Sequence, residues 1–247
     1  MAEAGQPLVV EGHRSVEAVL EAGVRPIHRV WAVRPGDRRL GRLRALARER
    51  DVLIDPVEAD RIDALANGRS HGGVIGIVGE RRDRSVDELI GEVGEGSLLV
   101  ALDGIEDPFN FGQAVRALYA AGVDGLIVRR SWETALSVVT RASAGATELL
   151  PTAHAQSVEA AADTARRRGL RVLGAVADPE ATEIHRADLS GPLLIVIGGE
   201  RRGVTRSFVS QADELVRIGY GRDRGPDLGA ATAAAIIAFE ALRQRRR

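Results

Sequence analysis

The apolar pattern of this chain predicts an α/β protein in two parts, a small amino-terminal α/β unit and a larger parallel sheet covered by helices. Three observations carry that prediction. From Ser97 onward, near-continuous apolar runs of strand length alternate with helical segments, the pattern of strands buried on both faces. Before residue 80, shorter strand-like and helix-like patterns alternate. Between them, Gly79-Glu-Arg-Arg-Asp-Arg-Ser85 is polar and without apolar periodicity, as a connector would be. The expected division is 1–80, a connector over 81–96, and 97–247.

In the first part a helix is expected near 15–21 and a strand over 27–33. An arginine-rich helix over 38–50 follows, with Leu40, Leu43 and Ala47 as its buried stripe and Arg38, Arg42, Arg44 and Arg48 projecting outward. A short strand at 52–54, a helix at 57–66 and a strand at 73–78 complete the unit. In the second part, strands are expected at 98–102, 125–128, 171–176, 192–197 and 215–218. The last helix, 228–244, places Leu228, Thr232, Ala235, Ile236, Phe239 and Leu242 on one stripe, and its alanines allow another backbone to approach closely, in the core or at a subunit contact.

The 247 residues are 45% hydrophobic, ample for a packed core. No apolar run approaches the roughly 20 residues of a membrane span, and no export signal precedes Val9-Val10, so a cytoplasmic location is expected. The absence of cysteine excludes a disulfide framework, a thiol nucleophile and a zinc ribbon. The five histidines show no metal-ligand spacing, so no metal is expected. A net charge of −1 leaves no whole-molecule footprint of nucleic-acid binding. All the basic residues are arginine, a bias that a GC-rich coding sequence produces and whose planar fork also matches phosphate oxygens. Residues 34–50 concentrate seven arginines against Asp37 and Glu49.

Three loops carry chemistry. Asp103-Gly-Ile-Glu-Asp-Pro-Phe-Asn110 follows the strand at 98–102, at the carboxyl end where open α/β sheets bind ligands. Asn110 is the expected cap of the next helix, with Phe111, Val115, Leu118 and Gly122 on its buried stripe and Arg116 pointing away. A cation beside a helix amino terminus suits a phosphate; a capped helix with an exposed arginine gives the same pattern. Ile197-Gly-Gly-Glu-Arg-Arg-Gly203 runs from a strand into a glycine turn whose spacing fits neither a phosphate loop nor a dinucleotide fingerprint. The segment from Val216 to Thr232 repeats the strand, loop and helix plan. Each loop is weak evidence alone, but their order is specific.

These segments resemble the SpoU, or TrmH, family of RNA ribose methyltransferases within the SPOUT group. Asp103, Asp107-Pro108, Asn110, Gly112 and Arg116 resemble its first motif, and Ser143-Ala-Gly-Ala146 its intermediate signature. Residues 197–203 resemble the second motif and 218–236 the third. Glu11-Gly-His-Arg-Ser-Val16 and His71-Gly-Gly-Val74 are similar to the RNA-binding domain of members that modify large-subunit ribosomal RNA.

The resemblance implies a trefoil-knotted carboxy-terminal domain, a homodimer, and S-adenosylmethionine held largely by main-chain groups around Gly198, Gly199, Ile218, Leu228 and Thr232. It implies methyl transfer to a ribose 2′-hydroxyl of RNA, most readily 23S ribosomal RNA, with transfer RNA as the alternative. Arg116, Asn110 and Glu200 are then the catalytic group, and Arg14, His71 and Arg116 the RNA contacts; a structural role for His71 fits equally well. Arg116 matches the family's proposed general base, but a guanidinium is too basic to deprotonate easily, which favours gripping phosphate and polarising the hydroxyl. The chain departs from the third motif, with Asp227-Leu228-Gly229 where many members have Ser-Leu-Asn. That departure keeps a non-catalytic RNA-binding or assembly factor on the same fold in view. An unrelated nucleotide-binding enzyme would need three ordered matches to be accidental. Ribosome maturation and antibiotic resistance are both open as purposes.

Overall fold

The computed structural model describes residues 7–199, 201–222 and 228–246. Its elements, in chain order, are β1 (Leu8–Glu11), α1 (His13–Ala22), β2 (Ile27–Ala32), α2 (Gly41–Glu49), β3 (Ile54–Pro56), α3 (Ala59–Asp63) and β4 (Val74–Val78). Then come α4 (Val86–Gly91), β5 (Leu98–Asp103), α5 (Pro108–Ala120), β6 (Gly125–Val128), α6 (Leu136–Ala142), α7 (Ala146–Leu149) and β7 (Thr152–His154). The chain continues with α8 (Val158–Arg167), β8 (Arg171–Ala175), β9 (Thr182–Glu183), β10 (Leu193–Gly198), α9 (Arg206–Val209), β11 (Glu214–Arg217) and α10 (Ala230–Arg245). It divides into two compact units, one of residues up to Arg82 together with Trp132–Leu149, the other of Asp83–Ser131 with Leu150 onward.

The first unit is built on a four-stranded sheet of order β1-β4-β2-β3, in which β4 runs antiparallel to both neighbours and β3 parallel to β2. Val16, Val19 and Leu20 of α1 and Leu43 and Ala47 of α2 pack with Val10, Val30, Val74 and Val78 in one core. The expected buried stripe of the arginine-rich helix is present, although its first turn, Arg38–Leu40, is a 3-10 turn capped by Asp37. Arg44 is half-buried rather than exposed, and donates to the carbonyls of Pro35 and Asp37 at 2.8 Å each.

Helices α6 and α7 belong to this unit. Leu136 enters the same core, the Ser15 hydroxyl donates to the Thr140 carbonyl at 3.2 Å, and Gly145, with φ +88°, lies so close to α1 that a Cβ there would sit 2.5 Å from that of Ala18. The Arg25 guanidinium, buried, donates to Glu148 at 2.9 Å and Glu133 at 3.0 Å. The Ser143–Ala146 signature therefore has a packing explanation: a glycine where a helix passes within a methyl group's reach.

The second unit holds a seven-stranded sheet of order β7-β6-β5-β10-β8-β11-β9, with every pair parallel. Leu99, Ala101, Ile127, Val172, Leu194 and Val196 face a core shared with α4, α8 and Phe208. On the opposite face α5 and α10 pack together, with α10 against β10. The expected connector over 81–96 contains α4, started by a reciprocal capping box between Ser85 and Glu88 and buried through Leu89 and Ile90.

The stripe read on the last helix, open to the core or to a subunit contact, is not the buried one. Ala230, Ala234, Ile237, Ala238 and Ala241 are buried, whereas Thr232, Ile236 and Phe239 are exposed. Small side chains bring the helix backbone close to α5 and β10, and close approach decides the face here over side-chain size.

Candidate functional site

Parallel pairing puts the loops after β5, β10 and β11 at one edge of the sheet, the edge where such sheets bind ligands. The first two are in contact. β10 lies beside β5 with Gly198 opposite Asp103, and the chain then turns back so that Gly203 N–H donates to the Gly199 carbonyl at 3.0 Å. A Cβ on Gly199 would collide with the Gly104 carbonyl, and one on Gly198 with the backbone of Gly203 and Val204. Of the two uses open to paired glycines, close backbone approach is the one made; positive φ falls on Gly104 (+78°) and Gly203 (+60°).

Arginines brace the first loop. Asp103, buried at the end of β5, accepts from Arg129 at 3.1 Å, and Arg201 of the second loop pairs with Glu106 at 3.3 Å. On the far side of the second loop, the Glu159 carboxylate accepts from the hydroxyls of Ser207 at 2.5 Å and Thr205 at 2.7 Å, which hold its pKa down at about 2.

Helix α5 is capped by Asp107, not Asn110. The Asp107 carboxylate accepts from Asn110 N–H at 2.7 Å, Pro108 occupies the first helical position, and Asn110 is half-buried in the first turn. The expected apolar stripe of Phe111, Val115 and Leu118 is buried; Gly122 lies just past the helix with φ +77°. Arg116 is exposed on a row with Phe109 and Gln113 and has no hydrogen-bond or ion-pair partner among the described residues. It is not beside the helix amino terminus, because eight residues beyond Pro108 is about 12 Å along the axis.

In the third loop, β11 is held through Arg217, which donates to Glu183 at 2.8 Å. Leu228 N–H donates to the Tyr220 hydroxyl at 3.1 Å, which closes the loop. Ile218 lines a cavity of about 620 Å³ with Ile184, Tyr220, Ile236 and Phe239. Leu228 and Thr232 are exposed near the start of α10, whose cap is Gly229. Glu200 and Asp227 lie outside the described residues.

In the first unit, Arg14 is exposed in the first turn of α1. His71 is buried with both ring nitrogens engaged: Nδ1 accepts from Gly73 N–H at 3.1 Å, so Nε2 carries the proton and donates to Asp63 at 2.9 Å. Among the described residues no group of three acidic or histidine side chains is arranged to hold a metal, and no helix is long and apolar enough to cross a membrane. Sequence reasoning places Asp107 in the first motif but misses it as the cap, although Asp-Pro ahead of a helix signals it, and misses the bracing by Arg129 and Arg201, whose partners are distant in sequence.

Known proteins share this arrangement. The chain is 32% identical over 241 residues, 96% of its length and 95% of the relative's, to the 23S rRNA (guanosine-2′-O-)-methyltransferase RlmB of Pseudomonas syringae pv. tomato. The crystal structure of the SpoU methyltransferase AviRb from Streptomyces viridochromogenes, in complex with AdoMet, superimposes with a TM-score of 0.79 at 25% identity, covering 98% of this chain and 91% of that one. An AdoMet-bound rRNA methyltransferase from Sinorhizobium meliloti gives 0.78 at 25% identity, covering 96% and 87%. The model of the RNA 2′-O ribose methyltransferase substrate-binding domain matches residues 9–83. With the methylase model matching residues 97–239, more than half its length, the chain belongs to the SpoU rRNA methylase family.

Proposed function

We propose that the protein transfers the methyl group of S-adenosylmethionine to the 2′-hydroxyl of a ribose in RNA, with 23S ribosomal RNA as the substrate. The observation that carries this reading is the stacking of Gly199 on Gly104, which joins the first two family motifs at the carboxyl edge of a parallel sheet. The AdoMet-bound relatives and the RlmB relative support cofactor and substrate.

The residues present fit the cofactor. Turns whose glycines admit no side chain leave backbone groups at the sheet edge to hold it, and Gly198, Gly199, Ile218 and Leu228 are assigned that work, with Thr232 adding a hydroxyl. The bound cofactor supplies a methyl group on a cationic sulfonium, an electrophile that requires in-line approach. Arg116 is assigned to the substrate. Its exposed guanidinium would grip the phosphate beside the target ribose and polarise the 2′-hydroxyl; with cofactor bound, the oxygen–carbon bond would form as the sulfur–carbon bond breaks, the neutral thioether S-adenosylhomocysteine leaving and the hydroxyl proton passing to solvent. Asn110, in the first turn of the same helix, and Glu200 are assigned to holding the loops. Asp227 is assigned no role.

A homodimer in the cytoplasm completes the reading. Phe109 and Tyr119 on α5 and Ile236 and Phe239 on α10 are large and exposed, and a second copy would cover them. The test is deletion of the gene followed by mapping of ribose methylation across ribosomal RNA by nucleoside mass spectrometry and primer extension. Loss of one methyl mark, restored by wild type and not by Arg116→Ala, is expected. An unchanged map would sink the reading in favour of a non-catalytic RNA-binding factor.

A further inference from the structure

Tyr220 follows β11 in the third loop and lines the cavity of about 620 Å³ together with Ile218, Ile236 and Phe239. Its hydroxyl accepts from Leu228 N–H at 3.1 Å. Both residues are exposed, Tyr220 at 48% and Leu228 at 38%, so water reaches the bond and it adds little to the stability of the fold. Its effect is on the donor. Leu228 has a single backbone N–H, and that N–H is committed to the phenol oxygen.

The position explains why a hydroxyl is there. Leu228 precedes α10, whose cap, Gly229, has no side chain with which to accept a hydrogen bond. Backbone donors around such a helix start take their acceptors from other side chains, from water or from ligands. A tyrosine hydroxyl accepts as well as donates, so Tyr220 fills the place of a ligand acceptor. The segment that carries it has room to yield. Gly219 and Gly221 flank the tyrosine, and a Cβ on Gly221 would meet nothing within 4 Å.

We infer that Tyr220 is a positioning residue for cofactor binding: its hydroxyl stands in for a ligand acceptor at Leu228 N–H and gives up that donor when S-adenosylmethionine binds. The inference rests on the assignment of Leu228 to the cofactor and deepens it. Binding then has to break an internal bond rather than displace a water. The tyrosine therefore weakens cofactor affinity by the net worth of one hydrogen bond, about 2- to 13-fold.

The test uses the full chain, wild type and Tyr220→Phe, a change that removes the hydroxyl and keeps the ring. Calorimetric titrations with S-adenosylmethionine and with S-adenosylhomocysteine are paired with amide NMR of leucine-labelled protein, in which the Leu228 resonance is identified by its loss in Leu228→Met. Tyr220→Phe is expected to bind both ligands about 2- to 13-fold more tightly, with an unaltered melting temperature. The Leu228 resonance should differ between wild type and variant without ligand and coincide once each is saturated, because the ligand then takes the donor in both. A merely structural tyrosine would leave the two resonances apart in both states.

Equal or weaker binding by Tyr220→Phe overturns the inference. So do Leu228 resonances that stay apart at saturation, or that do not move when either ligand is added to wild type. Wild type that binds neither ligand refutes the functional reading, and this inference with it. Wild type that binds both ligands, with affinities that the variant does not improve, refutes this inference alone.

Discussion

Replacing Gly199 with alanine puts a methyl group into the Gly104 carbonyl, with Ile105 N 2.9 Å away on the same side. All the atoms it meets are backbone, so no rotamer change relieves the collision, and the second loop must move off the first. Overpacking of this kind costs about 1–3 kcal/mol. Borne by the folded state, that is a fall of about 2–12 °C in melting temperature for a chain of this size. Borne by the loop, which parts from the first motif while the sheet survives, it appears as cofactor affinity weaker by about 5- to 140-fold, since about 1.4 kcal/mol is tenfold. Calorimetric melting and titration with S-adenosylmethionine read the two shares. Gly91→Ala is the control: that glycine ends α4 with nothing within 4 Å of a Cβ, and the change should be neutral or stabilising by up to about 1 kcal/mol. A Gly199→Ala protein with wild-type melting and wild-type cofactor affinity would refute both the stacking and the role given to it.

Three further outcomes follow from packing and charge. Arg25→Met strands the buried carboxylate of Glu148 and should cost about 3–5 kcal/mol in urea unfolding, whereas Arg25→Met with Glu148→Leu should recover much of it. Glu159 titrates at about 2 rather than 4.5 because Ser207 and Thr205 donate to its charged form. Its contribution to stability is therefore complete above pH 4.5 and lost as pH falls toward 2. Ser207→Ala should be less stable than wild type at pH 5 and indistinguishable from it near the lower limit, as read by denaturant titration at each pH; a deficit that persists there would exclude the charge as its cause. Ile236→Glu with Phe239→Glu changes only positions exposed on the single chain, so if the proposed dimer forms through them sedimentation should show folded monomers whose melting no longer depends on protein concentration, and a retained dimer would place the subunit contact elsewhere.

What was legible in the sequence tracks how local its cause is. β5, β6, β8, β10 and β11 lie inside the sheet or on its well-covered stretches, and their apolar runs announce them. β9, two residues of Thr182-Glu183, exists only because β11 is beside it, and nothing in its own composition marks it. α4 was hidden by a polar neighbourhood, yet the Ser85-to-Glu88 spacing is a helix-start signal readable from sequence. α6 and α7 pack on α1, more than a hundred residues away, so the glycine of the intermediate signature carries a meaning that only the fold reveals. On α10 the sequence offers one stripe for either the core or a subunit contact, and the structure buries the alanine face instead, because periodicity identifies a stripe but not which stripe finds the tighter partner.

At the site, the order of the motifs located every loop, while the roles within them depended on a choice between two capping residues three apart. Pro108 decides it: its fixed φ suits the first helical position, so Asp107 must cap and Asn110 falls inside the first turn. That one-turn shift has a chemical consequence. The partial positive charge of the helix amino terminus fades within the first turn, and Arg116 stands about two turns further along. An anion seated on the helix terminus therefore lies about 12 Å along the axis from the Arg116 backbone. On the proposed reading the guanidinium, with no partner on its own chain among the described residues, takes its anion from RNA, and Phe109 and Tyr119 on the same exposed side of α5 are where the proposed second copy would narrow the space around it.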